Sequence, residues 1–315
     1  MTERMPPVVC VMGPTGAGKS ALALHLAIRF PCEIISVDSA QVYRGLDIGT
    51  AKPDPVQQRD VPHHLIDVCD PAEAYSAARF AAEATRCIGE IRARHRIPLL
   101  VGGTGLYFRA LEGGFSPLPP SDPLIRAQLQ AELAALGSPA LHARLASLDA
   151  PAAARIHPND PQRIVRALEV FTQTGTPLSQ LQGRAPGPSM DGGIVRWIVA
   201  PTSRELLRER LTHRFAGMLE RGLVNEVAGL RERGDLNPDL PALRAVGYRA
   251  VWRYLAGELA RQQMVHEAVT ATHQLAKRQF TWFRRVTGAT WWDVDTADCP
   301  ARVETAFARL TEHGL

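Results

Sequence analysis

The segment Gly13-Pro-Thr-Gly-Ala-Gly-Lys19-Ser20 narrows what this chain can fold into more than any other stretch. It follows Val8–Met12, an apolar run too short for a helix, and precedes helical spacing from Ser20 to Phe30. Strand, glycine-rich turn and helix in that order are the setting in which G-x-x-x-x-G-K-[ST] cradles phosphate. Glycine lets backbone N–H groups converge on phosphate oxygens, and the helix N-terminus adds partial positive charge. Gly13, Pro14, Thr15, Gly16, Ala17, Gly18, Lys19 and Ser20 are therefore the expected anion-binding loop. Lys19 would reach the outer phosphate, and Ser20 would offer its hydroxyl to Mg²⁺. The motif, common among ATP-binding proteins, specifies a phosphate-bearing ligand but neither a nucleotide nor the bond that breaks.

Three more short apolar runs, Glu33–Val37, Ile97–Val101 and Ile194–Ala200, read as buried strands. A long Ala-rich helix is expected over Ala74–Arg94. Strands alternating with helices imply an α/β fold with a parallel sheet. Two stretches interrupt that rhythm, a Pro-rich linker at Ser116–Pro123 and a loose segment at Gly183–Gly193. Between them the pattern is helical throughout. The expectation is a P-loop α/β core in two pieces, 1–117 and 193–315, its C-terminal part mostly helical, around an all-helical insertion at 118–192. A length of 315 residues suits about two domains, and 45% hydrophobic with 22% charged residues excludes a disordered chain. The opening MTERMPP lacks a basic-then-apolar leader, and no apolar run reaches the roughly 20 residues of a membrane helix, so a cytoplasmic location with no membrane partner is expected. The five cysteines are scattered without a C-x-x-C pair, which points to reduced, buried thiols rather than zinc or disulfides.

Asp38 ends the second strand, and ligands of open parallel sheets bind beyond the carboxyl ends of the strands. A carboxylate there can take a proton from a nucleophile or hold metal-bound water. Thr104, after the third strand and between Gly103 and Gly105, sits on the same edge. Asp160-Pro161 reads as an N-cap opening a helix on which Arg163 and Arg166, three apart, share a face. Arg204, Arg208, Arg210 and Arg214 stud another helix. The net charge of +4 is matched by one acid-free segment carrying Lys277, Arg278, Arg284 and Arg285. On a helix Lys277, Thr281 and Arg284 line up, as do Arg278, Trp282 and Arg285, while Leu275 and Phe283 can turn inward. A cationic stripe beside an indole suits a sugar-phosphate backbone and an unstacked base, although an amphipathic helix with a basic outer face also explains it.

Six blocks in order, GPTGAGKS, ISVDSAQVYRGLDIGTAKP, LLVGGTGLYFRAL, ARIHPNDPQRIVRALEV, RAVGYRAVW and QLAKRQFTWFRR, span nearly the whole chain. Together they resemble the tRNA dimethylallyltransferases, also called tRNA isopentenylpyrophosphate transferases. The resemblance implies transfer of a dimethylallyl group from dimethylallyl diphosphate to N6 of adenosine 37 in tRNA, with Mg²⁺ as cofactor and a monomeric enzyme. It gives the loop 13–20 and Arg214 to the donor diphosphate instead of ATP, and makes Asp38 and Thr104 catalytic. It places tRNA contacts at Asp38, Ser39, Ala40, Gln41, Thr104, Arg126, Gln162, Arg163, Ile164, Val165 and Arg166. Further contacts fall at Arg244, Gly247, Tyr248, Arg249, Lys277, Arg278, Gln279, Trp282 and Arg284. The insertion is expected on the anticodon stem-loop. Arg79, Ala250 and His273 depart from the family's pattern without removing a catalytic group.

Three rivals remain at this level. A small-metabolite kinase would need an ATP γ-phosphate over Lys19 and an acceptor hydroxyl beside Asp38. A prenyltransferase acting on free AMP, ADP or ATP would have little use for so extended a basic surface. A non-catalytic RNA-binding module would not need a complete phosphate loop with Asp38 and Thr104 at one sheet edge.

Overall fold

A computed structural model describes residues 5–113, 118–182 and 192–312. Part of the expected linker at Ser116–Pro123 and most of the loose stretch at Gly183–Gly193 lie outside the described residues. The chain divides into two compact units, one made of residues 1–112 and 189–315, the other of residues 113–188.

The first unit begins with β1 (Val8–Met12), α1 (Lys19–Arg29), β2 (Cys32–Val37), α2 (Pro55–Asp60), β3 (His63–His64), α3 (Ala77–Ala93), β4 (Ile97–Gly102) and α4 (Gly105–Gly113). The helical unit contains α5 (Pro123–Leu136), α6 (Ser138–Leu148), α7 (Ala150–Arg155), α8 (Pro161–Thr174) and α9 (Leu178–Leu181). The chain then returns to the first unit through β5 (Ile194–Val199), α10 (Arg204–Glu220), α11 (Leu223–Glu232), a 3-10 turn (Ala242–Arg244), α12 (Tyr248–Leu255), α13 (Arg261–Phe283), β6 (Ala289–Trp292) and α14 (Cys299–Glu312).

The six strands form one sheet in the order β3-β2-β4-β1-β5-β6, every pairing parallel. Both faces of such a sheet are covered, so its strands are apolar at successive positions instead of alternating with polar residues. Val8, Cys10 and Met12 of β1 enter one core with α3, α4 and the helices α10 to α13. Val9 and Val11 enter the other with Leu22 and Leu26 of α1 and Val303 and Phe307 of α14. The four runs expected as strands are strands. The sheet also has two short edge strands that the sequence reading did not mark, β3 and β6. Their runs of two and four residues are too short to show a period.

The helical unit has its own core of Leu129, Leu141, Leu145, Ile164, Val165, Leu168 and Val170. Asp160 caps α8 by accepting from the Arg163 N–H, with Pro161 at the first helical position, as its sequence predicts.

Candidate active site

The site forms where β1, β2 and β4 end. At the turn after β1, Gly16 has φ +77° and its backbone lies so close to Leu211 on α10 that a Cβ would come within 2.6 Å of that side chain. Glycine is the residue that tolerates both conditions. The same packing sets α10 against the loop and places Arg214 one turn beyond Leu211. Lys19 opens α1, and its Nζ donates to the Pro14 carbonyl at 2.7 Å. Burial lowers the Lys19 pKa from 10.5 to about 7; the Arg214 charge lowers it too, and Asp38 opposes them. Arg214 is likewise held below its ordinary value by burial, with Asp38 opposing and Arg221 adding to the effect. Two cations thus share a partly desolvated corner with one carboxylate. That arrangement is unfavourable alone and favourable around a polyanion.

Asp38 follows β2, and its Oδ1 accepts from the N–H groups of Ala40 (2.8 Å) and Gln41 (3.4 Å). Its Oδ2 has no donor among the described residues, so one oxygen is fixed and the other is available. Thr104 accepts from the Ser39 N–H at 3.1 Å and donates toward the Ser39 hydroxyl at 3.4 Å, tying the turn after β4 to the turn after β2. Asp38, Thr104, Lys19, Ser20 and Arg214 all belong to the first unit.

Gln279, an implied tRNA contact, does something that its place beside the basic stripes of this helix did not reveal. Its Oε1 accepts from the Thr15 N–H at 2.8 Å and its Nε2 donates to the Gly103 carbonyl at 2.9 Å. A Cβ on Gly103 would meet Nε2 at 2.3 Å, so that glycine admits the amide. Gln279 therefore fastens α13 to the phosphate loop and to the turn carrying Thr104.

Several expected RNA contacts are spent inside the protein. Ile164 and Val165, 0% and 1% exposed, belong to the core of the helical unit and cannot touch RNA there. Tyr248 is 0% exposed, its hydroxyl donating to Glu226 Oε1 at 2.5 Å and accepting from the Gly49 N–H at 3.1 Å. The Glu226 carboxylate also accepts from the N–H groups of Asp47 (3.2 Å) and Ile48 (2.7 Å), so it gathers the loop after Asp38. Gly247 is buried beside Tyr248. The Gln41 amide accepts from Ser36 Oγ and donates toward the carbonyls of Thr50 and Ala51. Trp282 is half-buried, packed over Gly105 and edge-on to Phe283, not free as a stacking platform. Leu275 is half-buried while Phe283 is fully enclosed.

Others are exposed. Arg244, Arg249, Lys277, Arg278 and Arg284 lie at the surface of the first unit, and none has an acidic partner among the described residues. In the helical unit Gln162 and Arg163 are exposed, and Arg163 pairs with Asp160 at 3.4 Å. Arg166 does not share its face. It is half-buried, donating to Glu169 Oε2 (3.0 Å) and to the Pro119 carbonyl (2.6 Å). Arg126 also reaches Glu169, at 3.4 Å. Glu169 is fully buried and further accepts from Ser121 and from the Asp122 N–H. A carboxylate three residues after Arg166 on an apolar helix face was the signal for this cluster.

Among the described residues no group of three or more His, Cys, Asp or Glu could hold a metal ion. That fits Mg²⁺ bound through phosphate oxygens and water, which needs only one or two protein oxygens. Ser20 is exposed at the start of α1, the position for such an oxygen. A cavity of about 480 Å³ lies away from the site, lined by Phe30, Pro31, Pro62 and Arg96, before β2, β3 and β4, at the opposite edge of the sheet.

A parallel sheet whose first strand runs into a G-x-x-x-x-G-K-S turn, with a carboxylate at the next strand end, defines a P-loop α/β protein. The chain belongs to the IPP transferase family, whose pattern matches residues 41–286. It is 55% identical over 305 residues, 97% of this chain and 95% of its relative, to a tRNA dimethylallyltransferase of Thioalkalivibrio sulfidiphilus. A tRNA dimethylallyltransferase of Halorhodospira halophila is 55% identical over 92% of this chain and 93% of its own. Among solved structures, the tRNA isopentenylpyrophosphate transferase of Bacillus halodurans is 37% identical, with a TM-score of 0.70 over 98% of each chain. A eukaryotic dimethylallyltransferase acting on tRNA is 27% identical, with a TM-score of 0.77 over 97% of this chain and 79% of its own.

Proposed function

We propose that this protein is a tRNA dimethylallyltransferase that moves the dimethylallyl group from dimethylallyl diphosphate to N6 of adenosine 37 in tRNA and releases diphosphate. The observation that carries it is the corner where Lys19 and Arg214 crowd one carboxylate, Asp38, at the mouth of a phosphate loop. It supplies positive charge for a leaving diphosphate next to an available carboxylate oxygen.

In the transfer the allylic C–O bond to diphosphate breaks, the C–N6 bond forms, and one N6 proton leaves. Asp38 Oδ2 accepts that proton as the amine attacks. Lys19, Arg214 and the loop amides hold the oxygens on which charge develops. Thr104 keeps Ser39, and with it the Asp38 turn, in place. Ser20 would hold Mg²⁺, which would supply further charge stabilisation for the leaving group. Extrusion of the adenine costs a few kcal/mol and exposes N6.

Arg244, Arg249, Lys277, Arg278 and Arg284 would meet phosphates of the tRNA, while Arg126, Gln162 and Arg163 give the helical unit its own polar contacts with the anticodon stem-loop. The enzyme would work as a monomer in the cytoplasm, and five free, buried cysteines agree with a reducing compartment.

The test supplies Mg²⁺, dimethylallyl diphosphate and unmodified tRNA with adenosine at position 37, then weighs the digested nucleosides. A gain of one C5H8 unit on adenosine with tRNA, absent with AMP, is expected. Gain with AMP alone would select a mononucleotide prenyltransferase, and turnover of ATP without prenylation would select a kinase. Asp38→Asn should lower kcat by about 10²–10⁴-fold and leave tRNA affinity within a few-fold. Equal losses of rate and affinity would remove the proton-accepting role.

A further inference from the structure

β6 places two tryptophans side by side on the edge strand of the sheet, and they meet different fates. Trp292 pairs in register with Val199 and packs edge-on to Trp197 at 5.7 Å, within the core that also holds α1 and α14. Trp291 pairs with Ile198 and points to the other face, where it stays 46% exposed. Among the exposed large hydrophobic side chains of the described residues it is the only aromatic one. A single exposed indole is ordinary at a protein surface, so what lies around Trp291 decides what it can bind.

A cavity of about 260 Å³ opens beside it, lined also by Trp292, by Phe280 and Arg284 at the end of α13, by Arg204 at the start of α10, and by Asp293. Arg204 and Arg284 are exposed and have no acidic partner among the described residues. The Asp293 oxygens accept from the Thr202 hydroxyl and the Asp295 N–H, which hold its carboxyl below the usual range, so they are engaged within the protein. The space is smaller than the roughly 300–1,000 Å³ of a site for a whole small molecule. Aromatic surface between unpaired guanidinium groups is the chemistry that takes a nucleobase with its phosphate. The cavity also adjoins the catalytic edge. Ala200 and Pro201, which line it, follow Val199, whose carbonyl abuts Gly13 of the phosphate loop.

We infer that this cavity is a stacking subsite for a second unpaired nucleotide of the RNA substrate, distinct from the reacting adenosine. The base lies on Trp291, and Arg284 and Arg204 hold the adjoining phosphate. The inference rests on the tRNA reading above. It extends the footprint of the RNA beyond the basic stripe of α13 to the edge strand, and it gives the stacking role to Trp291, which is more exposed than the half-buried Trp282 packed over Gly105.

The test uses full-length protein and an unmodified anticodon stem-loop RNA, with a series in which each loop nucleotide except the reacting adenosine is made abasic in turn. Trp291→Ala should weaken RNA binding by about tenfold, and Trp291→Phe should restore most of it, because a phenyl ring still stacks. Salt dependence separates the parts. Trp291→Ala should leave the salt slope unchanged, whereas Arg284→Ala should lower it by about one. One abasic RNA should lose about as much affinity for the wild type as Trp291→Ala costs, and should lose nothing further with that variant. Additive losses at every abasic position, or unchanged affinity for Trp291→Ala, would overturn the subsite. So would AMP competing with RNA in wild type and not in Trp291→Ala while no abasic RNA couples to Trp291, because the site would then serve a free nucleotide. If wild type prenylates the RNA while Trp291→Ala binds it normally, only the subsite fails; if wild type prenylates no RNA at all, the tRNA reading fails first.

Discussion

Burial first, and the Arg214 charge after it, make Lys19 hold its proton weakly, so that its pKa falls to about 7 even though its ammonium donates to the Pro14 carbonyl. A diphosphate in the loop reverses the balance, since two or three negative charges outweigh one guanidinium. Binding must then load a proton onto Lys19 at any pH where the free protein has lost it. At pH 8 the uptake by wild type should exceed that by Lys19→Met by nearly one proton, and at pH 6 the two should agree. Titration calorimetry of diphosphate in buffers of different ionisation enthalpy reads this directly, and the variant subtracts the titration of diphosphate itself. No difference at pH 8 would mean that Lys19 is fully charged before the ligand arrives. The sign for stability follows from the same group. Its folded pKa lies below its ordinary value of 10.5, so between about pH 7 and that value the unfolded chain binds more protons. The unfavourable contribution of Lys19 to the free protein is therefore full below pH 7 and fades as pH rises through the window. Lys19, Ser20, Asp38 and Thr104 were readable one at a time because each follows a strand end, three of them within or beside a glycine turn. Arg214 joined Lys19 only through the family resemblance, because nearly two hundred residues separate them and no local pattern links them.

Elements carry what single residues do not. α13 presents Lys277 and Arg278 to solvent and sends Gln279 inward to hold Thr15 and Gly103. In sequence all three fall among the tRNA contacts that the family resemblance implies, and only the fold separates the residues that face out from the amide that faces the loop. Gln279→Met keeps the length of the side chain and removes both hydrogen bonds. Steady-state kinetics should show the KM for dimethylallyl diphosphate rising by about five- to thirtyfold, while RNA affinity changes less than about twofold. Loss of RNA affinity with an unchanged donor KM would return Gln279 to the RNA surface. A similar long-range bond joins the start of α12 to the loop after Asp38, through Tyr248 and Glu226. Tyr248→Phe should cost about 1 kcal/mol of stability in thermal or denaturant unfolding and leave RNA affinity unchanged. A block such as RAVGYRAVW tells which residues travel together but not which way each side chain points. Tyr248 and Gly247 face the core from it, and Arg244 and Arg249 face water. The strands were legible for a different reason. A parallel strand covered on both faces is an unbroken apolar run, whereas β6 is an exposed edge in which Ala289 and Thr290 dilute the signal of two tryptophans.

At the scale of the whole molecule, the two units keep separate hydrophobic cores, so their stabilities need not be one quantity. The helical unit has the smaller core, and it organises its polar residues around one buried carboxylate. Glu169 receives Arg166, Arg126, Ser121 and the Asp122 N–H, and so ties α8 to the start of α5. Removing the carboxylate takes the acceptor from both guanidinium groups and the donors beside them, and because the arginines are themselves partly exposed the loss should be about 1–3 kcal/mol. Glu169→Ala should therefore loosen residues 118–182 selectively. Hydrogen exchange should quicken across α5, α6 and α8, while protection in β1, β2 and β4 stays as in wild type. Diphosphate affinity should stay within about twofold, because every group proposed to hold it lies in the first unit, and tRNA affinity should fall. Glu169→Gln, which still accepts from Arg166, should lie between the two. If Glu169→Ala instead unfolds both units in one transition, with diphosphate binding lost in step, the cores are coupled despite being separate, and the helical unit is part of what keeps the phosphate loop folded.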